Sequence, residues 1–149
     1  MIGLSSVIAG IGAGVAAAVL MAIVSEVGYR VGLFKSSLLL VDGSFFLRFT
    51  AKATGKGLYQ AGIPIHLFTG AIFGAIYIVG TGFFGLDPFS PVLVGLYFFF
   101  LWLSMLFIAL PIAGQGIMGR KASPHTWFEQ LLLHIVFCVG YYYSLLALM

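Results

Sequence analysis

The chain has 149 residues, of which 62% are hydrophobic and only 7% are charged, whereas about a quarter of the residues in an ordinary soluble domain are charged. Seven basic and four acidic side chains are too few to cover a water-facing surface, so the composition excludes a soluble globular domain and indicates an integral membrane protein. The one cysteine, Cys138, excludes disulfide frameworks and cysteine-based metal sites within the chain.

Four apolar runs are long enough to cross a bilayer, because a hydrocarbon core about 30 Å thick requires about 20 helical residues. They lack the alternation of a membrane β-barrel strand, and an open sheet would leave backbone groups unpaired in lipid. The sequence therefore predicts an all-α polytopic protein, with one membrane domain formed by a bundle of four transmembrane helices. The runs cover residues 3–27, 63–84, 91–113 and 128–149.

The connections between these runs differ in charge. The first connection contains five of the seven basic residues, and the third contains Arg120 and Lys121. The second contains Asp87 and no basic residue. The positive-inside rule then places the first and third connections in the cytoplasm and both termini outside. We expect a multi-pass protein of a prokaryotic cytoplasmic membrane.

Within the first connection, residues 44–56 have the pattern of a short amphipathic helix that lies in the membrane interface. Arg48, Lys52 and Lys56 recur at steps of four, while phenylalanines occupy much of the remaining circumference. Such a basic helix is expected to bind anionic lipid or, alternatively, a partner subunit. Two residues are predicted to cap its start, Asp42 and Ser44.

Small residues recur at a spacing of four in the first two transmembrane runs. Gly10 and Gly14 lie in the first run, and Gly70 and Gly74 lie in the second. This spacing forms a groove along one side of a helix, so that another backbone can approach closely. It predicts helix packing rather than catalysis.

Two histidines, His66 and His134, fall at comparable depths in the second and fourth runs. Ionisable residues in a membrane span usually face the interior of the bundle, where they find a partner. If the two side chains meet, they are candidate axial ligands of a b-type haem. The alternative is that each histidine donates a hydrogen bond to a carboxylate or a backbone carbonyl and fixes the helix register.

Two carboxylates, Glu26 and Glu129, share the predicted cytoplasmic half with these histidines. The spacing argues against a metal site. Carboxylate-bridged metal bundles use Glu-x-x-His, whereas Glu129 and His134 are five positions apart and diverge by about 140° around the helix. Glu26 also has an ordinary ion-pair partner in Arg30, at the i+4 position.

The third run ends in proline and glycine residues, and two of its side chains invite functional interpretation. Pro111 is followed by three glycines around Gln115, and the amide of Gln115 could bind a lipid or quinone headgroup in an unwound segment. Trp102 lies in mid-span, where its indole N–H requires an acceptor.

Taken together, these positions resemble a group of small prokaryotic four-helix membrane proteins of unknown function. The resemblance covers most of the chain after Gly62, and it implies the architecture and little else. The motifs are His66-xxx-Gly70-xxx-Gly74-xx-Tyr77, then Trp102, then Pro111-xx-Gly114-x-Gly116, then His134 ahead of Gly140.

The sequence contains no motif for catalysis, phosphate binding or nucleic acid, and the middle of each span is apolar. We therefore expect a small accessory or structural subunit, not catalytic by itself, of a larger membrane complex such as a respiratory or photosynthetic redox assembly. The alternative function is a b-type haem electron-transfer subunit that uses His66 and His134. Expected partners are lipid and other membrane subunits.

Overall fold

The computed structural model of the chain describes residues 3–47 and 55–149, and all regular elements in this part of the chain are helices. Two short non-α turns are also present, a π-helical turn at Met105–Ala109 and a 3-10 turn at Ile117–Gly119. The helices are α1 Leu4–Arg30, α2 Leu38–Leu47, α3 Gly55–Phe83, α4 Pro91–Ser104, α5 Leu110–Ile112 and α6 Thr126–Leu148.

Four helical segments are long and apolar enough to cross a membrane, as the sequence predicted. They are α1, α3, the continuous segment Pro91–Ile112 and α6. The main difference in bounds is at the second span, which begins at Gly55 rather than at residue 63. The extra turns of α3 are stabilised by contact with α2, which the sequence pattern alone does not indicate.

The first connection contains a short apolar helix, α2, in place of the predicted cap. Leu38, Leu39 and Val41 of α2 are buried, so tertiary packing determines where this helix lies. Asp42 lies inside α2, and the Ser44 hydroxyl donates a hydrogen bond to the carbonyl of the residue four positions earlier. The capping prediction is therefore wrong.

The predicted amphipathic segment 44–56 falls mostly outside the described part of the chain. Its first residues form the end of α2, and its last two residues begin α3, where Lys56 is exposed. Arg48 and Lys52 lie outside the described residues. Their predicted role in binding lipid or a partner stays a prediction.

The four spans alternate in direction, and α1 packs against both α3 and α6. Gly14 of α1 lies against Gly70 of α3, and Gly10 lies against Gly74. A Cβ on Gly14 would overlap the Gly70 carbonyl, and one on Gly74 would overlap the Gly10 carbonyl. The two backbones are thus in direct contact, as helices associate in lipid when small residues line the interface.

Glycines also join α2 to α3. A Cβ on Gly43 would overlap the backbone of Leu58, and one on Gly62 would overlap the backbone of Leu39. Both glycines are buried. The short helix is therefore fixed against the first half of α3 by backbone contact.

Tyrosine hydroxyls connect α4 and α6 to α3 in the half of the bundle nearer the loop at residues 84–90. Tyr97 of α4 donates to the carbonyl of Phe73 at 2.9 Å, and Tyr141 of α6 donates to the carbonyl of Gly74 at 3.0 Å. Along their lengths, α3 packs mainly on α1 and α2, while α4 packs mainly on α6. This arrangement leaves a gap between α3 and α4, next to the connections that contain the basic residues.

Candidate functional site

The gap between α3 and α4 forms a cavity of about 280 Å³. This volume is near the lower limit of roughly 300–1,000 Å³ for small-molecule sites. Most of its wall is apolar and comes from every span: Met21, Leu38, Phe45, Ile65, Phe73, Phe98, Leu101, Met105, Ile108 and Phe137. Five polar side chains also line it: Asp42, His66, Thr69, Ser104 and His134.

The π-helical turn shapes one wall of this cavity. Pro111 has no backbone N–H to donate, and the Leu110 N–H just before it bonds the carbonyl of Met105, five residues back. Ser104, Met105 and Ala109, at the start and the end of this turn, all line the cavity. Single π turns inside α-helices are often found at functional sites.

His66 of α3 lines the cavity and connects three helices. Its Nδ1 lies 2.8 Å from a carboxylate oxygen of Asp42 on α2, and its Nε2 lies 3.0 Å from the Ala18 carbonyl on α1. Because a carbonyl can only accept, Nε2 must be protonated and donate to it. Nδ1 and the carboxyl group then share one further proton, either as an imidazolium–carboxylate pair or as a neutral pair.

His134 is placed differently, on α6 at the opposite wall. Its Nδ1–H donates to the Gln130 carbonyl of the preceding turn at 2.8 Å. The apolar surroundings favour a neutral ring, since a charge inside a membrane span is costly. Nε2 is then an acceptor, and no residue of the described chain bonds to it. His134 also lines a second, apolar cavity of about 250 Å³, together with Trp102 and Cys138.

The remaining polar groups of the wall are hydroxyls and one carboxylate oxygen. The Ser104 hydroxyl donates to the Phe100 carbonyl at 3.0 Å, which leaves its lone pairs available. Within residues 3–47 and 55–149, neither the Thr69 hydroxyl nor the second carboxylate oxygen of Asp42 has a hydrogen-bond partner. About a fifth of the Asp42 side chain, 21%, remains accessible.

Glu26 is bound away from the cavity, in a cluster of its own. Its carboxylate accepts from the Arg30 guanidinium at 2.7 Å, as the i+4 spacing predicted. It also accepts from the Ser37 hydroxyl at 2.9 Å and from the Tyr59 hydroxyl at 3.2 Å. These bonds connect the end of α1 to the start of α2 and to α3, which is a structural role.

Glu129 is likewise separate from the cavity. It is buried in the first turn of α6 and accepts the backbone N–H of Lys35 at 3.0 Å. Of the four ionisable groups that the sequence analysis grouped together, the structure brings only His66 and His134 to one cavity. In the part of the chain that is described, no three His, Cys, Asp or Glu side chains form a group that could hold a metal ion.

The histidine pair does not fit a haem with two axial imidazoles. Nε2 of His66 donates to Ala18, and Nδ1 is engaged with Asp42, so neither nitrogen presents a lone pair to a metal. Of the two predicted ligands, only His134 has a nitrogen that could coordinate iron. The haem hypothesis therefore stays a prediction that this arrangement does not favour.

Two other residues from the sequence analysis lie outside the wall of the first cavity. Gln115 is in the loop after α5, where its side-chain oxygen is buried without a partner among the described residues. Its predicted role in binding a headgroup stays a prediction. The Trp102 indole N–H finds the acceptor it requires, the carbonyl of Trp127, at 3.2 Å.

Sequence reasoning missed three polar residues of the cavity. Asp42 was interpreted as a helix cap, although a carboxylate inside a run of leucines and phenylalanines could have indicated a buried partner. Thr69 lies three residues after His66, on a neighbouring part of the same helix face. Ser104 gives no sequence signal, because a serine whose hydroxyl bonds the carbonyl four residues earlier is common in any membrane helix.

Comparison of the chain with protein-family models, with curated proteins and with solved structures gives no match. The function is therefore inferred from the geometry of the cavity and from the residues that line it.

Proposed function

We propose that the chain is a small accessory subunit of a membrane assembly and that it contributes a binding pocket for a lipid-soluble molecule. The observation behind this proposal is the cavity of about 280 Å³ between α3 and α4, with its apolar wall and five polar side chains. An apolar cavity with a few convergent polar groups is the usual form of a small-molecule site. A gap between two spanning helices lies within reach of molecules dissolved in the bilayer.

The free-energy cost of placing polar side chains in apolar membrane spans supports a role in binding. Asp42, His66 and His134 stand in or beside apolar spans, where ionisable residues are expensive and generally serve a function. The Asp42–His66 bond alone would join α2 to α3 without His134, Thr69 or Ser104. These three side chains add polarity to the cavity wall, and among the described residues none of them bonds a second helix.

A redox assembly of a prokaryotic cytoplasmic membrane, respiratory or photosynthetic, remains the setting that we propose for this subunit. Quinones and other lipid-soluble carriers are common small molecules of such assemblies, and a pocket of this kind suits one. In this setting the basic connections face the cytoplasm and both termini lie outside. The subunit binds its ligand and leaves the chemistry to its partners.

A variant that fills the cavity tests the binding function. Ala109 lines the cavity, whereas Ala16 on α1 is exposed and lines neither cavity. The protein is purified from its native membrane in mild detergent, and co-purifying small molecules are identified by native mass spectrometry. We expect a bound apolar molecule in the wild type and in Ala16→Phe, and its loss in Ala109→Phe. The same amount of bound molecule in both variants would contradict the proposal.

The same samples test the haem alternative. A b-type haem gives an intense Soret absorption band, and replacing either axial histidine by alanine would abolish it. Because His66 has no free nitrogen lone pair, we expect no such band in the purified subunit. A Soret band that disappears in both His66→Ala and His134→Ala would replace the proposed function with electron transfer.

A further inference from the structure

Among the described residues, three side chains of the cavity wall have a free hydrogen-bond acceptor and one has a free donor. His134 Nε2, the second carboxylate oxygen of Asp42 and the lone pairs of Ser104 are acceptors with no donor assigned among the described residues. All three side chains belong to the cavity wall. The Ser104 side chain is exposed and the Asp42 side chain is 21% accessible, so these groups face the open side of the cavity. In apolar surroundings an acceptor without a partner costs free energy, so a ligand that supplies donors is favoured.

The donors of the wall are, with one exception, already engaged. Nε2–H of His66 bonds the Ala18 carbonyl, its Nδ1 faces Asp42, and the Ser104 hydroxyl bonds a backbone carbonyl. Of the lining side chains that the structure describes, the Thr69 hydroxyl alone is left to donate. No lysine or arginine belongs to the wall as formed by residues 3–47 and 55–149. A carboxylate or phosphate group would therefore find little compensation for its lost hydration.

We propose that the pocket selects an uncharged amphiphile with a hydroxyl group, such as a phenol, a hydroquinone or an apolar alcohol. The hydroxyl donates to Nε2 of His134, which lines the cavity. The apolar body packs against the phenylalanines of the cavity and of the adjoining cavity, which share Phe98 and His134. This inference rests on the proposed binding function and specifies the ligand.

The pocket is expected to discriminate between closely similar molecules. A site built to bond a hydroxyl rejects an analogue that lacks it, because the polar groups of the site are then left unpaired. A methyl ether has the same body but no O–H, and a quinone has carbonyl acceptors where a hydroquinone has donors. A hydroquinone is therefore expected to bind more tightly than its quinone, and a phenol more tightly than its ether.

The test compares three probes of similar size. They are 4-hexylphenol, its methyl ether 4-hexylanisole, and the carboxylate anion 4-hexylbenzoate. Binding is measured on the full chain in lipid nanodiscs, with empty nanodiscs as the correction for partitioning into lipid. We expect the phenol to bind at least about tenfold more tightly than the ether, which corresponds to about 1.4 kcal/mol. The anion is expected to bind more weakly than the phenol.

Variants at two histidines show which side chain causes the preference for phenol over ether. His134→Phe removes the acceptor and should abolish the preference for phenol over ether, whereas His134→Gln offers an amide oxygen and should retain part of it. His125 is exposed in the loop before α6, so His125→Phe is the matched control and should keep the full preference. If His134→Phe does not fold, as judged by circular dichroism, the comparison of the three probes on the wild type still tests whether the pocket prefers a hydroxyl group.

The outcomes separate the inference from the proposed function. Equal binding of phenol and ether, or tighter binding of the anion, would overturn the hydroxyl selectivity while leaving a binding pocket in place. A preference for phenol that survives in His134→Phe would overturn the assignment to His134. Failure of all three probes to bind beyond the empty-nanodisc correction would overturn the binding function and the inference with it.

Discussion

Replacing Asp42 and His66 singly and together should reveal a strong coupling between α2 and α3. The two side chains are 2.8 Å apart, and the His66 side chain is 8% exposed. His66→Phe keeps a ring of similar size, and Asp42→Leu keeps a similar volume. Each single variant removes the bond, and the double variant removes it without leaving either partner unpaired, as a double-mutant cycle requires.

The size of the coupling distinguishes the two protonation states that the geometry allows. Hydrogen bonds to charged groups contribute about 1.5–3 kcal/mol, whereas polar contacts between membrane helices average about 0.6 kcal/mol. An imidazolium–carboxylate pair inside the bundle belongs to the first class. We expect a coupling of about 1.5–3 kcal/mol, and each single variant should lose at least as much stability, since it leaves a polar group unpaired.

The free energy of unfolding is measured by titrating sodium dodecyl sulfate into detergent-solubilised protein and following helix content by circular dichroism. Asp87 is exposed and accepts only a local backbone N–H, so Asp87→Leu is the control and should show no coupling to His66→Phe. A coupling of about 0.6 kcal/mol or less between Asp42 and His66 would refute the charged pair. The link would then be an ordinary neutral contact.

Two further predictions concern packing and orientation. Gly14→Val should separate α1 from α3 and destabilise the protein by about 1–3 kcal/mol, whereas Gly80→Ala, where a Cβ meets open space, should have little effect; equal losses in the same unfolding assay would contradict the glycine contact. Single cysteines at Lys52 and Asp87, in a chain without Cys138, should react with an impermeant maleimide from the inside and the outside respectively. Labelling of position 52 from outside would reverse the proposed orientation.

The spans and the glycine contacts follow from local sequence, since length, hydropathy and four-residue spacing are properties of each segment by itself. Gly14 and Gly70 could be assigned to close packing because their spacing has the same meaning in almost any membrane bundle. The position of α2 could not be predicted in this way. Leu38 to Leu47 is too short to cross a membrane, and its place depends on the backbone contacts of Gly43 and Gly62.

The candidate site was predictable to a smaller extent. The two histidines were expected to face the bundle interior, and the structure brings both to one cavity. Their partners were not predictable, because Asp42 reaches His66 only once α2 lies against α3, and the Ala18 carbonyl gives no signal in a sequence. Ser104 is the last residue of α4 and lines the cavity, and the π turn that follows it was not predicted from the sequence.

The glycine contacts divide the bundle into a stiff part and a compliant part. α3 touches both α1 and α2 backbone to backbone, so separating it from either helix loses several close contacts at once. α4 instead rests on α6 through side chains such as Phe98 and Phe137, which can adjust by rotating about their own bonds. We therefore expect a molecule that enters between α3 and α4 to displace α4 rather than α3, with the π turn as the point at which α4 bends.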